Sequence, residues 1–213
     1  ATGEYAFNEV LDLGGVFSLD LKRHIQTEGF YSGTLFDSRS ALIDTWNDFD
    51  GAQATAVNCE LLVAVTQDNP SSGSPTFTAF QTFVNGLYKG RGFKFKAILT
   101  SGDPAQNIKV SELGYTATFQ RRTEQSATAI ASGSGVKNIT FGSPFFTGTS
   151  ALLGANSNLP SIGITATDNI TSGDYFQLTN ISATGFSVHF KDSSNASISR
   201  NFNFTAVGFG KGV

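Results

Sequence analysis

The sequence predicts an all-β protein: an antiparallel β-sandwich with jelly-roll-like connections, followed by a smaller antiparallel β domain. Three observations lead there. Phenylalanine occurs 20 times against one Trp, five Tyr and no Met, and Gly, Ser, Thr and Asn fill much of the rest, a mixture of strand-filling aromatics and turn formers. Short apolar or alternating runs recur along the chain, each closed by a cluster of Gly, Pro, Asn, Asp or Ser. No amphipathic helical stripe of useful length exists; the best candidate, Ser40-Ala-Leu-Ile-Asp-Thr-Trp, offers one or two turns.

Residues 1–122 form the first domain, with strand-like runs at 4–7, 15–25, 59–67, 92–100 and 110–119. Asp68-Asn-Pro-Ser-Ser-Gly-Ser-Pro and Ser101-Gly-Asp-Pro punctuate them with residues that preset or tolerate turn dihedrals. Cys59 is the single cysteine, so no intrachain disulfide forms, and it is expected as a small core side chain opening a buried strand. Residues 123–135 turn small and polar without periodicity, which predicts a linker.

Residues 136–213 form the second domain, with runs at 137–141, 161–166, 174–180, 186–190 and 198–206. Two-residue alternation is clearest here. Phe186, Val188 and Phe190 oppose Ser187 and His189, while Phe202, Phe204 and Ala206 oppose Asn201, Asn203 and Thr205. One buried face and one wet face point to antiparallel pairing. The domain is about 80 residues, near the size at which burial is marginal, so trimerisation is expected to supply further burial. The glycines of Val207-Gly-Phe-Gly-Lys-Gly end a strand rather than open a helix, and are expected to permit close packing or a tight turn.

Only 15% of residues are charged and the net charge is -3, which leaves no strong field to hold a nucleic acid. No apolar run reaches the roughly 18 residues that span a bilayer, and no basic-then-apolar leader stands at the start, so a soluble chain without membrane insertion is expected. The opening Ala-Thr-Gly-Glu-Tyr reads as part of a longer protein.

Several phrases are distinctive: Ser172-Gly-Asp-Tyr-Phe-Gln-Leu-Thr-Asn, Thr184-Gly-Phe-Ser-Val-His-Phe and Ser199-Arg-Asn-Phe-Asn-Phe-Thr-Ala-Val-Gly-Phe-Gly-Lys. Upstream stand Phe36-Asp-Ser-Arg-Ser-Ala-Leu-Ile-Asp-Thr-Trp-Asn-Asp-Phe-Asp-Gly, Leu62-Val-Ala-Val-Thr-Gln-Asp-Asn-Pro and Gly92-Phe-Lys-Phe-Lys-Ala-Ile-Leu-Thr-Ser. In this order they resemble the C-terminal part of the host-specificity proteins, also called tip attachment or central tail fibre proteins, of lambda-like long-tailed bacteriophages. The resemblance covers most of the chain, although no phrase is a formal motif. It implies a homotrimer around the axis of a virion tail tip, neighbouring tail proteins as partners, and distal loops presented to a host cell-surface receptor or polysaccharide. The Ser/Asn-rich loop at 192–197 departs from the family pattern, in a region where host range would vary.

Asp37, Asp44, Asp48 and Asp50 surround Trp46 and Phe49, the best local candidate for ligand contact. The spacing is not that of an EF-hand, because Trp46 falls at the first Asp position and Val57 at the bidentate Glu position. Trp46 stacking on a sugar with Asp48 and Asp50 fixing its hydroxyls is one reading; a turn closed over a packed Trp46 is the other. The two histidines, His24 and His189, have no second ligand nearby in sequence, so no metal is expected. His189, beside Ser187 on the polar face, is a candidate for a ligand pocket or trimer contact. The five Asn-x-Ser/Thr sequons, at Asn138, Asn169, Asn180, Asn195 and Asn203, are put down to chance in a Ser/Thr/Asn-rich chain.

No nucleophile elbow, Cys-His pairing or phosphate-cradling loop appears in the sequence. The expectation is therefore a non-enzymatic virion protein without cofactors that attaches to the host, its loops at 37–51, 69–76, 147–160 and 192–196 carrying specificity. Competing readings are a carbohydrate-binding module or trimeric lectin, a tail collar without receptor contact, and a depolymerising tailspike, which needs paired carboxylates such as Asp48 and Asp50.

Overall fold

A computed structural model of the chain describes residues 1–31, 40–45, 54–149 and 158–210. Within them the chain is nearly all antiparallel β, and the helix candidate reduces to one 3₁₀ turn at Ile43–Thr45. The strands fall into two compact units: residues 1–11, 20–87 and 92–117 form unit 1, and residues 12–19, 88–91 and 118–213 form unit 2.

Unit 1 is built on a six-stranded sheet. Its strands are β1 (Thr2–Ala6), β2 (Leu11–Tyr31), β3 (Val57–Thr66), β4 (Gln81–Thr82), β5 (Gly86–Ser101) and β6 (Gln106–Thr118). They run in the order β4-β3-β5-β2-β6, with β1 also on β5. Where the sequence predicts a sandwich for residues 1–122, these six strands belong to one sheet. β2 and β5 are 21 and 16 residues long, and their polar or glycine-bearing ends hide that length from a pattern search. Leu21, Leu61, Val63, Phe83, Phe93, Phe95 and Ala97 form the buried core, with Tyr115 stacked on Phe95 at 4.1 Å between ring centroids.

The predicted turns close as their chemistry requires. Asn69 Oδ1 accepts from the Ser71 amide at 3.1 Å and Asp68 Oδ2 from the Thr76 amide at 2.8 Å. Cys59 is half-buried in β3 rather than part of the core, and burial pushes its thiol pKa up.

Unit 2 holds the two-layered structure. Its strands are β7 (Arg121–Gln125), β8 (Ile130–Ala131), β9 (Lys137–Thr140), β10 (Ser161–Ala166), β11 (Tyr175–Thr179), β12 (Gly185–Lys191) and β13 (Asn201–Phe209). One sheet runs β10-β13-β7 with β8 also on β13, the other β11-β12-β9. Phe202, Phe204 and Ala206 of β13 meet Phe186, Val188 and Phe190 of β12 in one core. The Phe186–Phe204 and Phe190–Phe202 rings lie 5.4 and 5.5 Å apart. Burying this apolar face holds the layers together.

Two local expectations change. Residues 123–135 are not a plain linker: β7 pairs with β13 over Thr205↔Gln125 to Phe209↔Arg121, and β8 over Asn201↔Ala131 and Phe202↔Ile130. The inward positions of β7 are charged, which conceals the strand. Arg122 lies over the Phe145 ring at 3.9 Å and its Nη2 donates to the Ser143 carbonyl at 2.6 Å, while Glu124 accepts from the Gly142 amide at 2.6 Å.

The outer face of β12 is also not uniformly wet. Ser187, only 4% exposed, donates to Asn138 Oδ1 at 2.8 Å and accepts from Asn180 Nδ2 at 3.3 Å, so flanking polar side chains cover it. The terminal glycines do provide close approach: a Cβ at Gly208 would sit 2.5 Å from the Phe145 ring.

Candidate functional site

The site is built at the start of β11, in unit 2. Thr171-Ser-Gly-Asp turns the chain into this strand, and Gly173 adopts a φ of 90° that side-chain-bearing residues rarely take. The Asp174 amide donates to the Thr171 carbonyl at 3.1 Å. In return the Asp174 carboxylate accepts from the Thr171 amide at 3.0 Å and hydroxyl at 2.9 Å. This is local turn chemistry, legible in the residue types.

Arg200 arrives from the segment leading into β13. Its Nη2 donates to Asp174 Oδ2 at 2.6 Å and its Nη1 to the Ser199 carbonyl at 2.9 Å. The Asp174 side chain is only 4% exposed against 21% for Arg200, so the carboxylate is largely covered while its partner still reaches water, and the bond is charge-assisted. Arg200 first, and then the Thr171 amide, hold the Asp174 carboxyl below the usual carboxylate range.

Apolar groups surround this pair. Ile170, Tyr175 and Phe176 are 54%, 39% and 41% exposed, over the buried Phe190. The Phe176 and Phe190 rings are 5.8 Å apart. With Asp174 and Arg200 they line a cavity of about 280 Å³. Phe176 follows the core-facing alternation of Phe190, its register partner, yet stays half-exposed because β11 ends one side of its sheet.

Tyr175, which also lines the pocket, belongs to a polar cluster. The Tyr175 hydroxyl donates to Asn195 Oδ1 at 2.6 Å, and Lys191 Nζ to the same oxygen at 3.0 Å. Asp192 Oδ1 holds the turn that presents Asn195, accepting from the Ser194 and Ala196 amides at 2.9 Å each.

His189 lies on the polar face as the alternation predicts, half-buried, with Nε2 2.8 Å from Ser197 Oγ. It is not among the groups lining the cavity. Trp46, Asp48 and Asp50 lie outside the described residues, as does Asp37, while Asp44 sits exposed in the 3₁₀ turn. Asp174, Tyr175, Phe176 and Arg200 escape sequence reasoning as a site because Arg200 meets Asp174 across 26 residues. The usable signal is a turn aspartate followed by two aromatics at the head of a short strand.

A larger cleft of about 540 Å³ in the same unit is lined by Gly14, Phe17, Phe145, Phe146 and Thr184 among others, with no ionisable side chain. It offers volume without chemistry. Among the described residues no group of three or more His, Cys, Asp or Glu lies together, and no helix is long and apolar enough to cross a membrane.

The Asp174–Arg200 pair has a pH signature. Because the folded carboxyl binds its proton more weakly than the unfolded one, the pair stabilises the fold above the ordinary Asp pKa of about 3.9. That contribution is lost as pH falls through the lowered folded value. Thermal midpoints of the wild type and Asp174→Asn are expected to differ by a constant amount at pH 5–8 and to converge below about pH 4. A gap unchanged down to pH 2 would mean the carboxylate charge contributes nothing.

Compared with protein-family models, curated proteins and solved structures, the chain matches none of them.

Proposed function

We propose that the chain is a non-enzymatic recognition protein of a phage tail tip, acting as a homotrimer that attaches the virion to the host surface, with the pocket beside Asp174 and Arg200 as a point of receptor contact. The sequence resemblance supplies the biological setting. The observation that carries the binding role is the half-exposed Phe176 ring over Phe190, beside the Asp174–Arg200 ion pair. Exposed aromatics in a concave site favour recognition.

The chemistry of Asp174 supports binding over hydrolysis. Its carboxylate is committed to Arg200 and Thr171 and held ionised, so it is a poor proton donor at neutral pH, whereas a glycosidase acid requires a raised pKa. His189 and Ser197 stand within hydrogen-bond distance of each other, away from the residues that line the pocket.

Trimer formation has a candidate surface in unit 1, where Tyr5, Phe7, Leu99, Val110 and Leu113 line an apolar groove of about 380 Å³. A neighbouring copy covering it would bury apolar area, and three weak receptor contacts would then act together through effective concentration. The test is adsorption competition. The purified chain, with a trimer's mass by light scattering, is expected to block adsorption of the phage that encodes it; a trimer without effect on adsorption would contradict the attachment role.

A further inference from the structure

We infer that the Asp174–Arg200 pocket takes one ring of a neutral saccharide, its apolar face laid on the Phe176 ring, and discriminates against charged sugars. The inference rests on the reading of this pocket as a binding site and assigns the chemistry of what enters it.

Size comes first. The cavity, about 280 Å³, lies just below the roughly 300–1,000 Å³ range of pockets for drug-sized ligands. It suits a single ring. An extended peptide would have to leave most of its length outside.

The lining comes second. Ile170, Tyr175, Phe176 and Phe190 present apolar surface, and the negative faces of aromatic rings attract the positively polarised C–H bonds along one face of a pyranose. The polar cluster at Tyr175 is ready for the hydroxyls: the Tyr175 oxygen, donating to Asn195, retains lone pairs to accept a hydrogen bond. Lys191 holds the other side of Asn195 in place.

Charge decides the class of sugar. Asp174 and Arg200 are the ionisable groups lining the cavity other than the Tyr175 phenol, and they neutralise each other at 2.6 Å. An anionic sugar reaching the remaining guanidinium donors would bring its charge against the Asp174 carboxylate held by the same Arg200. An ammonium sugar on Asp174 would meet the Arg200 charge in the same way. A charged ring therefore loses hydration for no net attraction from the neutral pair, so neutral rings bind best.

Saturation-transfer NMR on the full chain tests this, with methyl glucoside, methyl galactoside and methyl mannoside as neutral probes and glucuronic acid and glucosamine as charged ones. At least one neutral glycoside is expected to receive transfer, with little to the charged pair. Phe176→Ala, at a half-exposed position, is expected to weaken that signal at least tenfold while the thermal midpoint stays within a few degrees. Asp174→Asn uncovers the Arg200 charge, and transfer to glucuronic acid is expected to appear. No transfer to any neutral glycoside, equal transfer to charged ones, or a signal indifferent to Phe176→Ala would overturn the inference. Cell binding separates the two levels. If the chain binds host cells through Phe176 yet no glycoside responds, the saccharide inference fails and attachment stands; if glycosides respond without cell binding, attachment fails and the saccharide inference stands.

Discussion

Phe202→Ala is expected to lower the stability of unit 2 by about 3–5 kcal/mol, the range for removing a fully buried phenylalanine. Phe202 has no exposed surface, its ring is 5.5 Å from Phe190 of the facing sheet, and its backbone pairs with Ile130 on one side and Ala166 on the other. The rings and strands around it are fixed by their own ladders, so the vacated space cannot collapse. Calorimetry should show a midpoint lower by roughly 10–20 °C. Phe209, on the same strand but on the exposed phase of the alternation, is the internal control, and its replacement by alanine should cost far less. A Phe202→Ala loss below about 1 kcal/mol would mean the two sheets of unit 2 do not meet there.

Gly185→Ala is expected to be comparably damaging although it adds a single methyl group. A Cβ at Gly185 would lie 2.1 Å from the Ile139 carbonyl oxygen and 3.2 Å from its carbon. These are backbone atoms of the neighbouring β9, where Gly185 pairs with Thr140. Backbone cannot rotate aside as a flexible side chain would. The seam between β9 and β12 must part, weakening the bonds from the Phe141 amide to the Thr184 carbonyl and from the Ser182 amide to the Gly185 carbonyl, both 2.9 Å. The cost is set at or above the roughly 1–3 kcal/mol typical of overpacking. Gly163→Ala is the contrast: its nearest neighbour would be the Thr205 carbonyl at 3.7 Å, an ordinary contact. That change should be neutral or raise stability by up to about 1 kcal/mol through the unfolded chain. Equal effects at the two glycines would contradict the strand packing.

Much of the fold is written in side-chain alternation. Phe186, Val188, Phe190, Phe202, Phe204 and Ala206 go to the core as their spacing requires, because a period of two leaves a strand no other way to bury them. β7 was hidden for a physical reason. Arg122 and Glu124 occupy its inward positions, where they pair with each other at 3.6 Å and are accommodated by the Phe145 ring and the Ser143 and Gly142 backbone groups, 18 or more residues away. Ser187 is the converse: its polarity reads as wet, yet Asn138 and Asn180 cover it.

The site was less legible than the fold. The turn at Thr171–Asp174 follows from residue type, but nothing local marks Arg200 as the partner of Asp174. Nor does alternation reveal that Phe176 stays half-exposed, since that depends on β11 lying at a sheet edge. Sequence reasoning went instead to the densest run of acids around Trp46.

The most direct measurement of the proposed attachment role is equilibrium binding of fluorescently labelled chain to bacteria of the proposed host, with Phe176→Ala in parallel. Recognition through the pocket predicts saturable binding by the wild type and at least a tenfold loss in the variant, with its fold intact. Undiminished binding by Phe176→Ala would contradict the pocket as the point of contact.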